Sequence, residues 1–118
     1  MSTLRIATIN GEWMNDWFTS DGNSVPTLRE TFTRDGQVNN TSDTATRLAG
    51  LIRDCDPDVL ALEEAPSRPG ELQLFIDQYL SSSGAPMYSS FLGDSGKTQK
   101  LGLLYKPTVV DSATLAPG

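Results

Sequence analysis

Two short runs of branched apolar residues, Leu4 to Ile9 and Val59 to Leu62, restrict the fold more than any other feature of the chain. Both are too short to be helices of ordinary length, and such runs suit strands buried within a layered α/β fold. Between them Leu48, Leu51, Ile52 and Cys55 recur at helical spacing after Ser42 and Asp43, either of which suits a helix N-cap. Asp56-Pro57-Asp58 ends that helix, because proline cannot continue it and pushes the preceding residue out of the helical region. Pro69 and Gly70 open a second amphipathic stretch whose stripe is Leu72, Phe75, Ile76, Tyr79 and Leu80, closed by Ser81 to Pro86. Met87 to Leu92 and Leu101 to Lys106 read as two further strands joined by the polar turn Gly93 to Lys100. Phe18 to Asn40 reads as a long polar loop anchored by Val25, Leu28, Phe32 and Val38, with a short hairpin around Asp35 and Gly36.

A chain of 118 residues has room for one ordinary domain. Nine Lys and Arg against 15 Asp and Glu leave a net charge of -6, which opposes the general attraction to phosphate backbones that most nucleic-acid binders use. A bound divalent cation reverses that field locally, so a phosphate-bearing substrate stays compatible with the charge. With Cys55 as the single cysteine and no histidine, the chain has no intramolecular disulfide and no thiolate or imidazole zinc site. The sequence shows neither a signal peptide nor a membrane span, so a cytoplasmic location is the expectation.

Asn10 and Glu12 stand two apart at the end of the first strand, which places them on one face of the sheet if the strand runs that far. Glu64 stands at the corresponding end of the second strand, the expected neighbour of the first, and ligands of open α/β sheets bind beyond such carboxyl ends. Oxygen donors of this kind suit Mg²⁺, which keeps several waters and takes one or two carboxylates together with substrate phosphate oxygens. Strand alternation points Glu63 away from Glu64.

Arg5-Ile6-Ala7-Thr8-Ile9-Asn10-Gly11-Glu12-Trp13, followed by Asp58-Val59-Leu60-Ala61-Leu62-Glu63-Glu64, resembles the endonuclease/exonuclease/phosphatase superfamily of metal-dependent hydrolases. That family carries an Asn near the end of its first strand and a second strand whose final Glu binds the catalytic metal. Leu101 to Lys106 is similar to the family's following strand. The resemblance implies Glu64 as principal Mg²⁺ ligand, with Mn²⁺ as a substitute, and Asn10 as an active-site orienting residue that also reaches the metal. It implies Glu12 as a second acid near the metal, and Glu63 stands where the family usually has Gln.

The implied fold is the N-terminal half of a four-layered α/β sandwich of the deoxyribonuclease I-like type, with one mixed β-sheet flanked by helices. The implied activity is phosphoester hydrolysis by a nuclease, phosphodiesterase or phosphatase. The family's central Gly-Asp-Phe-Asn-like segment and its Ser-Asp-His-like segment have no counterpart among these residues, so the chain alone is expected to be inactive. A following segment or a second chain would then complete the fold, and the ending Leu115-Ala116-Pro117-Gly118 reads as a cut within a domain. A half-sandwich is also expected to leave one apolar sheet face exposed. The competing expectation is a non-catalytic binding module built on the same half-fold.

Other motifs are weaker. Gly93-Asp94-Ser95-Gly96 matches part of a serine-protease nucleophile loop, but no histidine exists to act as its base. Gly96-Lys97-Thr98 resembles the end of a phosphate-binding loop without its leading glycine, and a hairpin turn accounts for it better. Trp13 and Trp17 are suited to packing the loop base and, second to that, to walling a pocket. Cys55 is expected in the core.

Overall fold

In the computed structural model, which describes residues 4–12, 14–19, 26–93 and 100–108, the first strand is β1 (Ile6–Asn10). A 3₁₀ turn at Met14–Trp17 leads to the short strands β2 (Phe18–Thr19) and β3 (Thr27–Leu28), which pair with each other. The hairpin β4 (Thr31–Arg34) and β5 (Gln37–Asn40) follows. Then come helix α1 (Thr41–Cys55), strand β6 (Val59–Ala65) and helix α2 (Pro69–Tyr79). A small hairpin, β7 (Ser81–Ser82) with β8 (Ala85–Pro86), leads to β9 (Ser89–Gly93) and β10 (Lys100–Tyr105). Four of these strands form one mixed sheet in the order β1-β6-β10-β9, parallel between β1 and β6 and antiparallel elsewhere. The architecture is therefore mixed α/β, as the apolar pattern predicts.

Within the stretch from 18 to 40, the described residues 26–40 hold more regular structure than a polar loop. Its hairpin is closed by Asp35 and Gly36, both at positive φ (51° and 78°), the paired left-handed conformation that matches the twist of two-residue hairpins. The expected turn at these two residues is thus present, with strands on both sides of it. The cap of α1 also differs from expectation. Asn40, rather than Ser42 or Asp43, precedes the helix in extended conformation, and its side chain accepts the Asp43 amide at 2.9 Å. At the other end Asp56 turns left-handed (φ 48°) and its N–H returns to the Ile52 carbonyl, so the residue before Pro57 stops the helix as predicted.

The two faces of the sheet differ in composition. Register aligns Ala7, Leu60, Leu104 and Ser90 in one row and Ile9, Leu62, Gly102 and Leu92 in the next. Against this face pack Ala45, Leu48, Ala49 and Ile52 of α1 and Leu72, Phe75 and Ile76 of α2, in one continuous core. Gly102 permits the close approach of α2: a Cβ there would sit 3.0 Å from the Ala65 Cβ and 3.2 Å from the Leu72 Cδ2. Trp17 lies fully buried among Phe18, Phe32 and Phe75, so it packs the base of the 18–40 region, while Trp13 lies outside the described residues.

The opposite face aligns Ile6, Val59, Tyr105 and Ser89, then Thr8, Ala61, Leu103 and Phe91. None of these belongs to the core, and Ile6 and Leu101 are 70% and 54% exposed. Among the described residues no helix covers this face. Cys55 is half-buried and outside the core, because it is the last residue of α1, one turn beyond Ile52, the final fully buried position of the stripe.

Candidate functional site

Parallel pairing places the carboxyl ends of β1 and β6 side by side, with Asn10 opposite Glu63. β1 stops at Asn10, so the two-residue periodicity does not carry Glu12 onto the same face. Instead Gly11 donates to the Glu63 carbonyl at 2.8 Å, and Glu12 turns left-handed at φ 55°. The Asn10 side-chain oxygen accepts the Glu12 amide at 2.7 Å, an Asx turn that leaves the Asn10 amide NH₂ as the group available to a ligand.

On β6 the alternation breaks. Lys100 pairs with Ala65 and Gly102 with Leu62, so Glu63 and Glu64 together oppose the single residue Leu101, a β-bulge. Glu64 occupies it with φ 54°, a conformation that costs a residue with a Cβ about 1 kcal/mol or more. Leu62 and Ala65, three apart, both end fully buried, and the acids between them sit on the slipped stretch. The expectation that Glu63 points away from Glu64 by simple alternation is therefore corrected: it holds for an unbroken strand, and this strand is broken between them. Glu63 is exposed and Glu64 half-buried. No sequence rule flags a bulge at Glu63-Glu64, since its usual marker is a glycine.

Asn10, Glu12 and Glu64 thus come from one end of adjacent strands, two of them on strained left-handed backbone. Their donor atoms are all oxygen or amide, the set that suits Mg²⁺ or Mn²⁺. Among the described residues no group of three or more His, Cys, Asp or Glu side chains is arranged to hold a metal ion. A metal here would therefore lean on Glu64, one further acid, water and substrate oxygens.

Two concavities flank Glu12, the first of them also bounded by Asn10. A cleft of about 240 Å³ runs between Asn10-Gly11-Glu12 and α1, lined also by Trp17, Thr44, Arg47, Leu48 and Leu51. A second, of about 430 Å³, lies between Glu12 and the β4–β5 hairpin residues Arg34, Asp35, Gln37 and Asn39. A third, about 440 Å³, is at the other end of the sheet beside Leu4, Arg5, Asp56 and Asp58, where the charges already satisfy one another. There Lys106 bridges Asp56 at 2.8 Å and Asp58 at 3.5 Å. The Asp58 carboxylate accepts the Arg5 amide at 2.8 Å, and the Arg5 guanidinium donates to the Cys55 carbonyl at 3.1 Å. The hydrogen bond from Lys106 holds the Asp56 carboxyl below its ordinary value, and the same bond raises Lys106.

Asp94 to Thr98, which carry the protease-like and phosphate-loop-like motifs, lie outside the described residues. No helix among the described residues is long and apolar enough to cross a membrane. Compared with protein-family models, curated proteins and solved structures, the chain gives no match.

Proposed function

We propose that this chain supplies one sheet, two helices and the metal-binding carboxylate of a metal-dependent phosphoester hydrolase of the endonuclease/exonuclease/phosphatase type, a nuclease, phosphodiesterase or phosphatase. The observation that supports the reading is that Asn10, Glu12 and Glu64 stand at the carboxyl ends of two parallel strands, with Glu12 and Glu64 both on left-handed backbone. Strain of this kind persists where surrounding structure holds it and clusters at functional sites. In this reading Glu64 binds Mg²⁺ directly, Glu12 acts from its shell, and the Asn10 amide, fixed by its turn to Glu12, orients a phosphoryl oxygen. Bound Mg²⁺ would neutralise charge on the phosphoester.

Hydrolysis also needs a group to position water and a cation or imidazole at the phosphoryl oxygens, and this chain has no histidine. The sheet face of Ile6, Val59, Leu103 and Phe91, which no helix among the described residues covers, supports the same reading, since a sheet of this kind is stable in water once a second layer covers it. A following segment or a second chain would supply both the cover and the missing groups. The deoxyribonuclease I-like sandwich is the fold we propose for that completed assembly, and the cytoplasm its location.

The test is Mn²⁺ titration of the ¹⁵N-labelled chain, reading paramagnetic broadening. Broadening confined to residues 10–12 and 63–65, abolished in Glu64→Gln, is the expected result. Broadening that persists unchanged in that variant would sink the metal assignment and favour a non-catalytic binding module.

A further inference from the structure

Arg47 stands out among the described cations by how little it is held. Arg5, Arg29 and Arg53 each donate to backbone carbonyls, Lys106 donates to Asp56 and forms an ion pair with Asp58, and Arg34 lies 3.7 Å from Asp35. The Arg47 guanidinium donates only to the Thr44 hydroxyl, at 3.5 Å, the outer limit of a hydrogen bond. It belongs to the cleft between Asn10-Gly11-Glu12 and α1, whose other walls are Leu48, which is buried, and Leu51, which is 60% exposed. Trp17 also lines the cleft, and its indole Nε1, fully buried, has no acceptor. Buried indole N–H groups almost always find a partner. A loosely held guanidinium, an apolar wall and an unanswered N–H donor in one cleft are what a ligand combining an anion with a flat apolar group requires.

We infer that this cleft is a binding subsite for an aryl- or base-bearing phosphate, with Arg47 on the phosphate and Leu51 and the exposed edge of Leu48 against the flat group, above the buried Trp17. The choice of phosphate over carboxylate rests on the hydrolase reading, because Asn10 and Glu12 form both the rim of this cleft and the edge of the proposed metal site. Substrate lying across that rim would present one phosphoester to the strand ends while the neighbouring group sits under α1. Arg47 is thus a specificity residue at the substrate's flank. Glu12 makes no ion pair with Arg47, so the guanidinium stays free to receive an anion, and Mg²⁺ at the strand ends would offset the Glu12 charge.

The test is titration of the intact chain with phenyl phosphate in EDTA, followed by ¹⁵N–¹H spectra and calorimetry. Expected are shifts centred on Thr44, Arg47, Leu48 and Leu51, weaker binding of inorganic phosphate and of benzoate, and a loss of affinity of at least about tenfold in Arg47→Ala. Partial recovery is expected in Arg47→Lys. Leu51→Asp, at an exposed position that tolerates change, should weaken binding by a similar factor. Equal affinity in Arg47→Ala and the parent, shifts centred elsewhere, or benzoate bound as tightly as phenyl phosphate would overturn the inference. Because EDTA removes the metal, failure of Mn²⁺ to bind at Glu64 and failure of this subsite are separate results.

Discussion

At the amino ends of β1 and β6, Arg5, Asp56, Asp58 and Lys106 are knitted into one network of ion pairs and backbone hydrogen bonds. The carboxyl ends of the same strands carry Asn10, Glu12, Glu63 and Glu64, and no described ion pair between side chains involves Glu12 or Glu63. Both ends contain a left-handed non-glycine residue, Asp56 at φ 48° and Glu64 at φ 54°. Asp56 is there to end a helix, and its N–H closes the final turn. Glu64 interrupts a strand. The comparison teaches that the same backbone conformation serves a helix stop inside a knitted charge network at one end of the sheet, and a bulge that sets two neighbouring carboxylates at the strand edge at the other.

The shared core sets the scale against which the two ends are measured. Leu60 and Leu62, one nearer each end, are both fully buried, and replacing either with alanine should lower the unfolding free energy by about 2–5 kcal/mol. Urea denaturation should find the two costs alike; a much smaller loss at Leu62 would mean that the carboxyl end is loosely packed and its geometry less fixed than described.

Glu64→Gly sharpens the contrast further. Glycine accepts positive φ freely, so the variant should be as stable as the parent or more stable by up to about 1 kcal/mol, while losing the Mn²⁺ signal. A clear loss of stability would show that Glu64 serves the fold.

The smallest effect belongs to the amino end. Asp56 has its carboxyl lowered below 3.8 in the folded state, so its contribution is present above that pH and is lost as pH falls through the folded value. Lys106 is raised above 10.5, so its contribution is present below that pH and is lost as pH rises through the folded value. The stability difference between the parent and Lys106→Met should therefore be flat from about pH 4.5 to 9.5 and shrink outside that window. It should also fall with added salt, as expected of an exposed pair. A difference that changes through neutral pH would contradict this pairing.

Much of this arrangement is legible in the residues. The four strands of the main sheet, both helices, the stop at Asp56-Pro57 and the hairpin at Asp35-Gly36 follow from apolar period and turn chemistry, because those signals are local, whereas the two-residue strands β2, β3, β7 and β8 carry no such signal. The cap of α1 was harder to place, since Asn40, Ser42 and Asp43 are all good capping residues and only the tertiary docking of β5 selects among them. The bulge at Glu63-Glu64 is set by how β10 pairs, 36 or more residues away in sequence, and leaves no local trace. Arg47 looks like any solvated helix residue until Asn10 to Glu12 are seen across from it.

The pairing of β1 with β6 also has a kinetic side. Arg5 and Asp58, bonded at the start of that pair, are 53 residues apart in the chain, whereas β9 and β10 are near neighbours. Loop closure grows costlier with the length of chain enclosed, so the antiparallel strands and helices can gather first and β1 dock late. The strand ends that bring Asn10 beside Glu63 and Glu64 would then assemble in the last step of folding, and a partly folded chain would lack that edge altogether.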